Sequence, residues 1–432
     1  MAETKKRIAF TTLGCRVNQF ETDALTGDFL RAGYEVVDFD AEADIYLINT
    51  CTITGKGEQK SRNLVNRALR HPGSKIVATG CSVETEAEYY NSIPELDLVI
   101  PNEKKHGTLK LVESLFTAAE AEPDVAPDVF GYRTADQTRR TRSMLKIHDG
   151  CNAFCSYCIV PFTRGRAISR PAEQILENAL RLIQAGFKEL VMTGVNMSTY
   201  LHGDTDFTAL ISRVLRLEGD FRVRIASVEP EKLDSGLLEL FTDTKLCRHL
   251  HLCLQSGSER ILKKMNRSYT ASEFLTLAQE LKNRYPDFNL TTDVIVGFPG
   301  EREEDFLQTL QLVQDAAFSH VHTFQFSPRA GTRAAEYPDQ IPATIKQERS
   351  RRLRDLAEKQ KETYRRSLLG KTQKVLIEQI TADGSARGYS ELYVPLRISG
   401  TEEGTNRFLK ATPAALDPDS LDLLVTINAT NT

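Results

Sequence analysis

The segment Cys151-Asn-Ala-Phe-Cys155-Ser-Tyr-Cys158 constrains this chain more than any other stretch. Its three cysteines, separated by three and then two residues, follow a β-like run at 144–148 and precede a basic loop. Thiolates are soft ligands that suit iron–sulfur clusters or zinc. A [4Fe–4S] cluster usually takes four thiolates, so a tight group of three leaves one iron open to a small molecule. The competing reading is a structural zinc site, which wants four closed ligands and usually paired C-x2-C motifs. No second pair lies nearby in sequence, and His148 could serve as the fourth ligand.

A second set of cysteines is dispersed. Residues 7–13, 35–38, 44–49, 75–79 and 96–100 read as strands, alternating with helical stretches at 18–32, 58–71 and 85–92 and a last helix ending at 116. This alternation predicts an α/β unit over residues 1–118, an open parallel sheet with helices on both faces. Cys15, Cys51 and Cys81 each follow closely on the carboxyl end of a strand, the edge at which open α/β sheets bind ligands. They could meet there as a second three-thiolate set, with Gly14 and Gly80 allowing close backbone approach. The alternative is three unrelated buried cysteines.

Residues 119–142 read as a linker, rich in Ala, Glu, Asp and Pro at its start. From 143 to 345 a second α/β series follows, with strands expected at 143–148, 189–192, 222–226, 249–254, 290–296 and 320–326. Helices are expected at 172–186, 233–242, 271–285 and 303–316. The pattern matches a partial (β/α)6 barrel whose site opens at the carboxyl ends of its strands. Cys247 and Cys253 read as core residues. A charged helix at 346–369 connects to short β-like runs at 375–378, 389–394, 407–410 and 423–427, the strands of a small β-barrel over 370–432.

The net charge of −4 argues against a uniformly basic nucleic-acid binder, but the charge is uneven. Residues 346–374 hold eleven Lys/Arg against four Asp/Glu, and Arg139, Arg140, Arg142, Arg164 and Arg166 bracket the cysteine motif. A local basic surface is compatible with RNA, whereas the helix taken alone also fits a solvated amphipathic segment. No apolar run approaches a membrane span, and no apolar stretch precedes the first strand as a secretory signal would require. Eight cysteines in 432 residues do not look like a disulfide framework, so a cytoplasmic setting and no membrane partner are expected.

The C-x3-C-x2-C motif resembles the signature of the radical S-adenosylmethionine (SAM) enzymes. Leu13-Gly-Cys-Arg-Val-Asn-Gln-Phe-Glu-Thr22, Asn49-Thr-Cys-Thr-Ile-Thr54 and Thr79-Gly-Cys81 resemble the N-terminal domain of the radical methylthiotransferases. Gly14-Cys-Arg-Val-Asn18 most resembles the branch acting on N6-threonylcarbamoyladenosine in tRNA. The C-terminal runs resemble the small RNA-binding TRAM domain. The resemblance implies two [4Fe–4S] clusters, a SAM-binding one on Cys151, Cys155 and Cys158 and an auxiliary one on Cys15, Cys51 and Cys81. It implies SAM contacts from Tyr157, Thr193, Gly194, Asn196, Gln255, Ser256, Gly297 and Phe298, although Asn196 stands where a glutamate is common. Arg16, Asn18, Arg387 and Arg407, with Arg329 of the Ser-Pro-Arg-x-Gly-Thr stretch, are the candidate RNA or substrate contacts. Tyr389 and Tyr393 could stack on bases.

The implied reaction uses a radical from SAM to take hydrogen from C2 of the modified adenosine beside the anticodon. Sulfur then comes from the second cluster and methyl from a second SAM. Its partners would be a tRNA anticodon stem-loop and an external electron donor. The alternatives are the same chemistry on isopentenyladenosine or on a ribosomal-protein aspartate, and a non-catalytic metal-binding RNA module.

Overall fold

The computed structural model describes residues 5–117, 123–133 and 141–427; Arg139, Arg140 and much of the linker lie outside them. The N-terminal strands are Arg7–Thr12 (β1), Glu35–Val37 (β2), Ile45–Thr50 (β3), Lys75–Gly80 (β4) and Leu98–Ile100 (β5), in the order β2-β1-β3-β4-β5 with every pair parallel. The central β3 is buried along its whole length, as a strand covered on both faces must be. The helices Arg16–Arg31 and Gly55–Ala68 flank it. The single helix expected at 85–92 is instead two short ones, Cys81–Thr85 and Ala87–Asn91, broken where Glu86 leaves helical geometry (ψ 37°).

The central unit is an arc of parallel strands: Arg142–Asp149, Glu189–Gly194, Arg222–Ile225, His249–His251, Asn289–Val296 and His320–Gln325. The first three form one sheet and the last three another. Isolated parallel bridges between Val223 and Leu246 and between Val228 and Leu252 join the two. One set of alternate residues (Leu145, Ile147, Leu190, Met192, Val223, Ile225, Leu250) packs with helix residues such as Ile175, Leu182 and Leu210 in one large core. The other set lines internal cavities and is largely polar. The regular part of the fourth strand ends at His251, short of the expected 254, although Gln255, in a left-handed conformation (φ 64°), still bridges to Val294.

Among the described residues three helices went unread in the sequence: Phe207–Leu215, Glu259–Lys264 and the four-residue Val160–Thr163. The first carried a usable signal: Asp206 accepts from the Ala209 N–H as an N-cap, and Phe207, Leu210, Ile211 and Val214 fall on one buried face.

The C-terminal strands form a curled six-stranded sheet in the order Phe408–Ala411, Gln373–Ile380, Ala386–Tyr389, Pro395–Ser399, Leu423–Thr426, Ala415–Leu416. The strand expected at 389–394 is mostly a turn between two strands. Ser390 Oγ accepts from the Leu392 and Val394 N–H groups and closes it, with Tyr393 at φ 56°. The charged helix spans Ala343–Arg366 and is not wholly solvated: Leu353 and Ala357 are buried, and Arg349 pairs with buried Glu301 at 2.7 Å. Among the described residues no helix is long and apolar enough to cross a membrane.

Candidate active site

Cys15, Cys51 and Cys81 stand just past the carboxyl ends of β1, β3 and β4, which are neighbours in the sheet, and all three line one cavity of about 430 Å³. The turns that place them need glycine. Gly14 and Gly80 both have φ of 104°, and a Cβ on them would come within 3.0 Å of Cys51 Sγ and 2.5 Å of Thr50 O respectively. Burial pushes the Cys51 thiol up to about 11, with Cys81 and Cys15 adding to it. Cys15 is exposed where it lines the cavity, yet the cavity lies deep among protein atoms; that desolvation raises its thiol while Arg164 opposes.

The C-x3-C-x2-C loop hangs off the first barrel strand. The Cys151 N–H donates to Gly165 O (3.1 Å), and the Ser156 N–H and hydroxyl donate to Met265 O and Lys264 O (both 2.9 Å), so the loop is fixed on two sides. Donors converge on its sulfurs: the Ala153 N–H on Cys151 Sγ (3.4 Å), Asn196 Nδ2 on Cys151 Sγ (3.8 Å) and Arg267 Nη1 on Cys155 Sγ (3.1 Å). Burial and the neighbouring Cys155 push the Cys158 thiol up to about 12. Three thiols on one loop, with N–H and guanidinium donors aimed at sulfur, suit an anionic cluster whose thiolates such donors stabilise. Beside Cys155 opens a cavity of about 550 Å³, a volume in the small-molecule range.

Between the two cysteine sets lies a buried charge network that the sequence did not reveal. Glu21 accepts from Arg164 (2.9 Å), Lys146 (3.0 Å) and Lys105 (2.7 Å); Asp149 accepts from Lys146 (2.6 Å) and Arg164 (3.0 Å). Burial alone would raise the Glu21 carboxyl, but Arg164, Lys105 and Lys146 override it and hold it well below the usual range. Three cations against two carboxylates leave an excess positive charge behind the cavity, and Arg164 itself lines that cavity. That sign favours thiolates.

The expected SAM residues scatter. Asn196 lines the cavity beside Cys155. Thr193 and Gly194 line the other cavity instead. Gln255 is 9% exposed, at its left-handed turn. Tyr157 packs against the cluster that encloses Phe298. The Gly297 N–H donates to Glu301 (2.7 Å). Two side chains of the set are packed away from the cavities. Ser256 is fully buried and its Oγ accepts from the Ser258 N–H at 3.2 Å, while Phe298 is fully buried with Ile261, Met265 and Phe326. The turn after each strand folds these two back into the core.

The expected RNA contacts likewise divide between internal and exposed positions. Asn18 is buried and donates to Leu13 O and Thr50 O while accepting from Arg164, so it stitches the N-terminal turns together. Arg329 is 8% exposed; it pairs with Glu58 at 2.6 Å and donates to Thr52, joining barrel to N-terminal sheet. Tyr389 and Tyr393 stack on each other, with Arg142 over both and Arg224 over Tyr393, and so face the barrel. Arg142 and Arg164 likewise turn inward to carboxylates, whereas Arg166, Arg387 and Arg407 are exposed. Arg16 extends into the barrel lumen and lines three cavities. Cys247 is buried, but Cys253 lines the N-terminal cysteine cavity rather than the core.

Two other clusters deserve comparison with metal sites. The His148 ring nitrogens already face the Asn196 N–H (3.4 Å) and the Thr199 hydroxyl (3.3 Å), which leaves the zinc reading without its fourth ligand. His251, Asp293 and His322 bring three ligand-type atoms within 4.8 Å. Both His251 nitrogens are engaged there, by Thr291 (3.0 Å) and Asp293 (3.3 Å), so the trio forms a hydrogen-bonded polar wall.

Residues 145–313 match the Radical SAM superfamily, and residues 7–101 match the family described as Uncharacterized protein family UPF0004. A threonylcarbamoyladenosine tRNA methylthiotransferase MtaB from Chlamydia pneumoniae is 37% identical, covering 93% of this chain and 94% of that protein. The protein of that name from Bacillus subtilis (strain 168) is 36% identical, covering 93% and 92%. A tRNA-2-methylthio-N(6)-dimethylallyladenosine synthase from Thermodesulfovibrio yellowstonii is 34% identical, covering 89% and 90%. Among solved structures, the radical SAM methyltransferase TsrM from Kitasatospora setae, with cobalamin and a [4Fe–4S] cluster bound, superposes with a TM-score of 0.56 at 13% identity, covering 77% of each chain. That likeness is one of fold.

Proposed function

The chain belongs to the radical SAM methylthiotransferase family, in its threonylcarbamoyladenosine branch, and on that premise we propose that it converts N6-threonylcarbamoyladenosine beside the tRNA anticodon to the 2-methylthio derivative. The observation that carries the reading is the docking of one three-cysteine edge onto the mouth of a barrel that bears the other. Val160, two residues past Cys158, lines the cavity of Cys15, Cys51 and Cys81.

In this reading Cys151, Cys155 and Cys158 hold a [4Fe–4S] cluster that binds SAM, and Cys15, Cys51 and Cys81 hold a second one. When bound, these groups supply one-electron chemistry and sulfur, which a strong, non-acidic C–H requires and acid–base residues cannot replace. The protein's own contribution is positional. Ala153, Asn196 and Arg267 orient donors onto the loop sulfurs, and Arg164 and its partners set the charge between the sites. An anticodon-loop base is already unpaired, so its entry costs less than extrusion from a duplex. Exposed Arg387 and Arg407 would hold the stem through its phosphates. The electron comes from an external donor, and the setting is cytoplasmic.

Nucleoside mass spectrometry of tRNA from cells lacking the gene, before and after its restoration, tests this. Loss of 2-methylthio-N6-threonylcarbamoyladenosine with a rise in the unthiolated nucleoside is expected. Loss of the isopentenyl derivative instead would overturn the substrate, and no nucleoside change would overturn the tRNA reading.

A further inference from the structure

The barrel lumen beneath the cysteine cavity is not filled as a packed barrel core would be. Two cavities of about 390 and 320 Å³ lie in it, and Arg16 lines both of them as well as the cavity of the residue before it, Cys15. The charged residues lining the two deeper cavities are Arg16, Arg142, Arg224, Lys361, Arg365 and Glu378: five cations and one carboxylate.

Several of these cations are not satisfied by the protein. Arg16 has neither a hydrogen-bond acceptor nor a carboxylate partner among the described residues, and the guanidiniums of Arg224 and Arg142 repel its charge. Arg224 is 3% exposed; its Nε donates to Glu189 at 2.7 Å, while its Nη1 has no partner. Arg142 is paired to Glu378 at 2.8 Å, but its Nη1 is also unpartnered. A desolvated guanidinium N–H left without an acceptor is costly to the folded protein. Free donors on three guanidiniums lining one cavity, with Tyr393 beside them, form a receptor for an anion.

We infer that Arg16, Arg142 and Arg224 receive the carboxylate of the threonylcarbamoyl substituent when the adenosine lies in the cysteine cavity, and that this pocket selects the acidic nucleoside. The inference rests on the substrate reading above and deepens it. The cavity, of about 390 Å³, has room for a small pendant acid. Planar guanidiniums match a carboxylate by bidentate geometry. An apolar substituent at the same place would leave Arg16 and the Nη1 donors of Arg142 and Arg224 without an acceptor, so it is rejected by the cost of those orphaned donors rather than by size.

The test uses the holoenzyme, reconstituted anaerobically, and two synthetic anticodon stem-loops. One carries the threonylcarbamoyl acid, and the other carries the same group as its neutral primary amide. The wild type is expected to convert the acid with a kcat/KM at least about 100-fold above that for the amide, as for other sites built around a buried polar partner. Arg224→Met should bring acid and amide to within a few-fold of each other, and Arg224→Lys should restore part of the preference. Equal conversion of acid and amide by the wild type overturns the pocket while leaving the substrate reading intact; that comparison needs no variant to fold. If Arg16→Met weakens both RNAs equally, the pocket holds a phosphate and the inference fails. If neither RNA is converted but an isopentenyladenosine stem-loop is, the substrate reading itself falls and the inference with it.

Discussion

Glu189 shows what a single buried carboxylate does here. It is fully buried on the second barrel strand and accepts from Arg222 (2.8 Å) and Arg224 (2.7 Å), with Arg142 nearby. Burial pushes its carboxyl up, but Arg222, Arg224 and Arg142 outweigh that and lower it from 4.5 to about 2. A depressed folded-state value stabilises the protein above the unfolded value and is lost as pH falls through the folded one. Glu189 therefore contributes up to about 3 kcal/mol at neutral pH, lost between roughly pH 5 and pH 2. Urea unfolding at pH 7 and pH 3.5 should show this loss, and Glu189→Gln should be less stable at pH 7 with a flatter pH dependence. A Gln variant with the slope of the wild type would assign the acid sensitivity to other groups.

At the scale of elements, the strand-to-turn corners decide whether the dispersed cysteines meet. Gly80 ends β4 with a conformation that side chains rarely adopt, and the carbonyl of Thr50 occupies the place of a Cβ. Gly80→Ala should cost more than about 1 kcal/mol, because it adds strain to a clash with backbone that cannot move aside. On the two-cluster reading, the same change should lower iron content in a background lacking Cys151, Cys155 and Cys158 but leave it unchanged in one lacking Cys15, Cys51 and Cys81. Full iron retention and unchanged stability would show that the corner tolerates a side chain. The charged helix shows the opposite economy. Its exposed pairs, Arg351 with Asp355 and Arg366 with Glu362, contribute little each, and its buried Leu353 and Ala357 hold it in place.

For the whole molecule, the relation between the N-terminal sheet and the barrel matters most, because the two cysteine sets belong to different units. Arg329, after the last barrel strand, pairs with Glu58 and Thr52, next to Cys51. Removing one member of such a largely buried pair strands the other and costs about 3 kcal/mol. Arg329→Met should raise hydrogen exchange across residues 51–58 and lower tRNA modification, with the barrel's own protection retained. Unaltered exchange at 51–58 would show that other contacts fix the docking.

The sequence alone determined the strand–helix alternation, the arc of barrel strands and the positions of both cysteine sets. These are written in local periodicity and in spacing along the chain, and Cys15, Cys51 and Cys81 announce themselves by each following the carboxyl end of a strand. Only the tertiary structure decided which charges face inward. Arg142, Arg164 and Arg329 look alike as sequence, and each became internal because strand pleat and domain docking aim it at a particular carboxylate. The unsatisfied lumen around Arg16 and Arg224 is of the same kind, since its members lie about 200 residues apart and burial, unlike spacing, is a property of the closed fold.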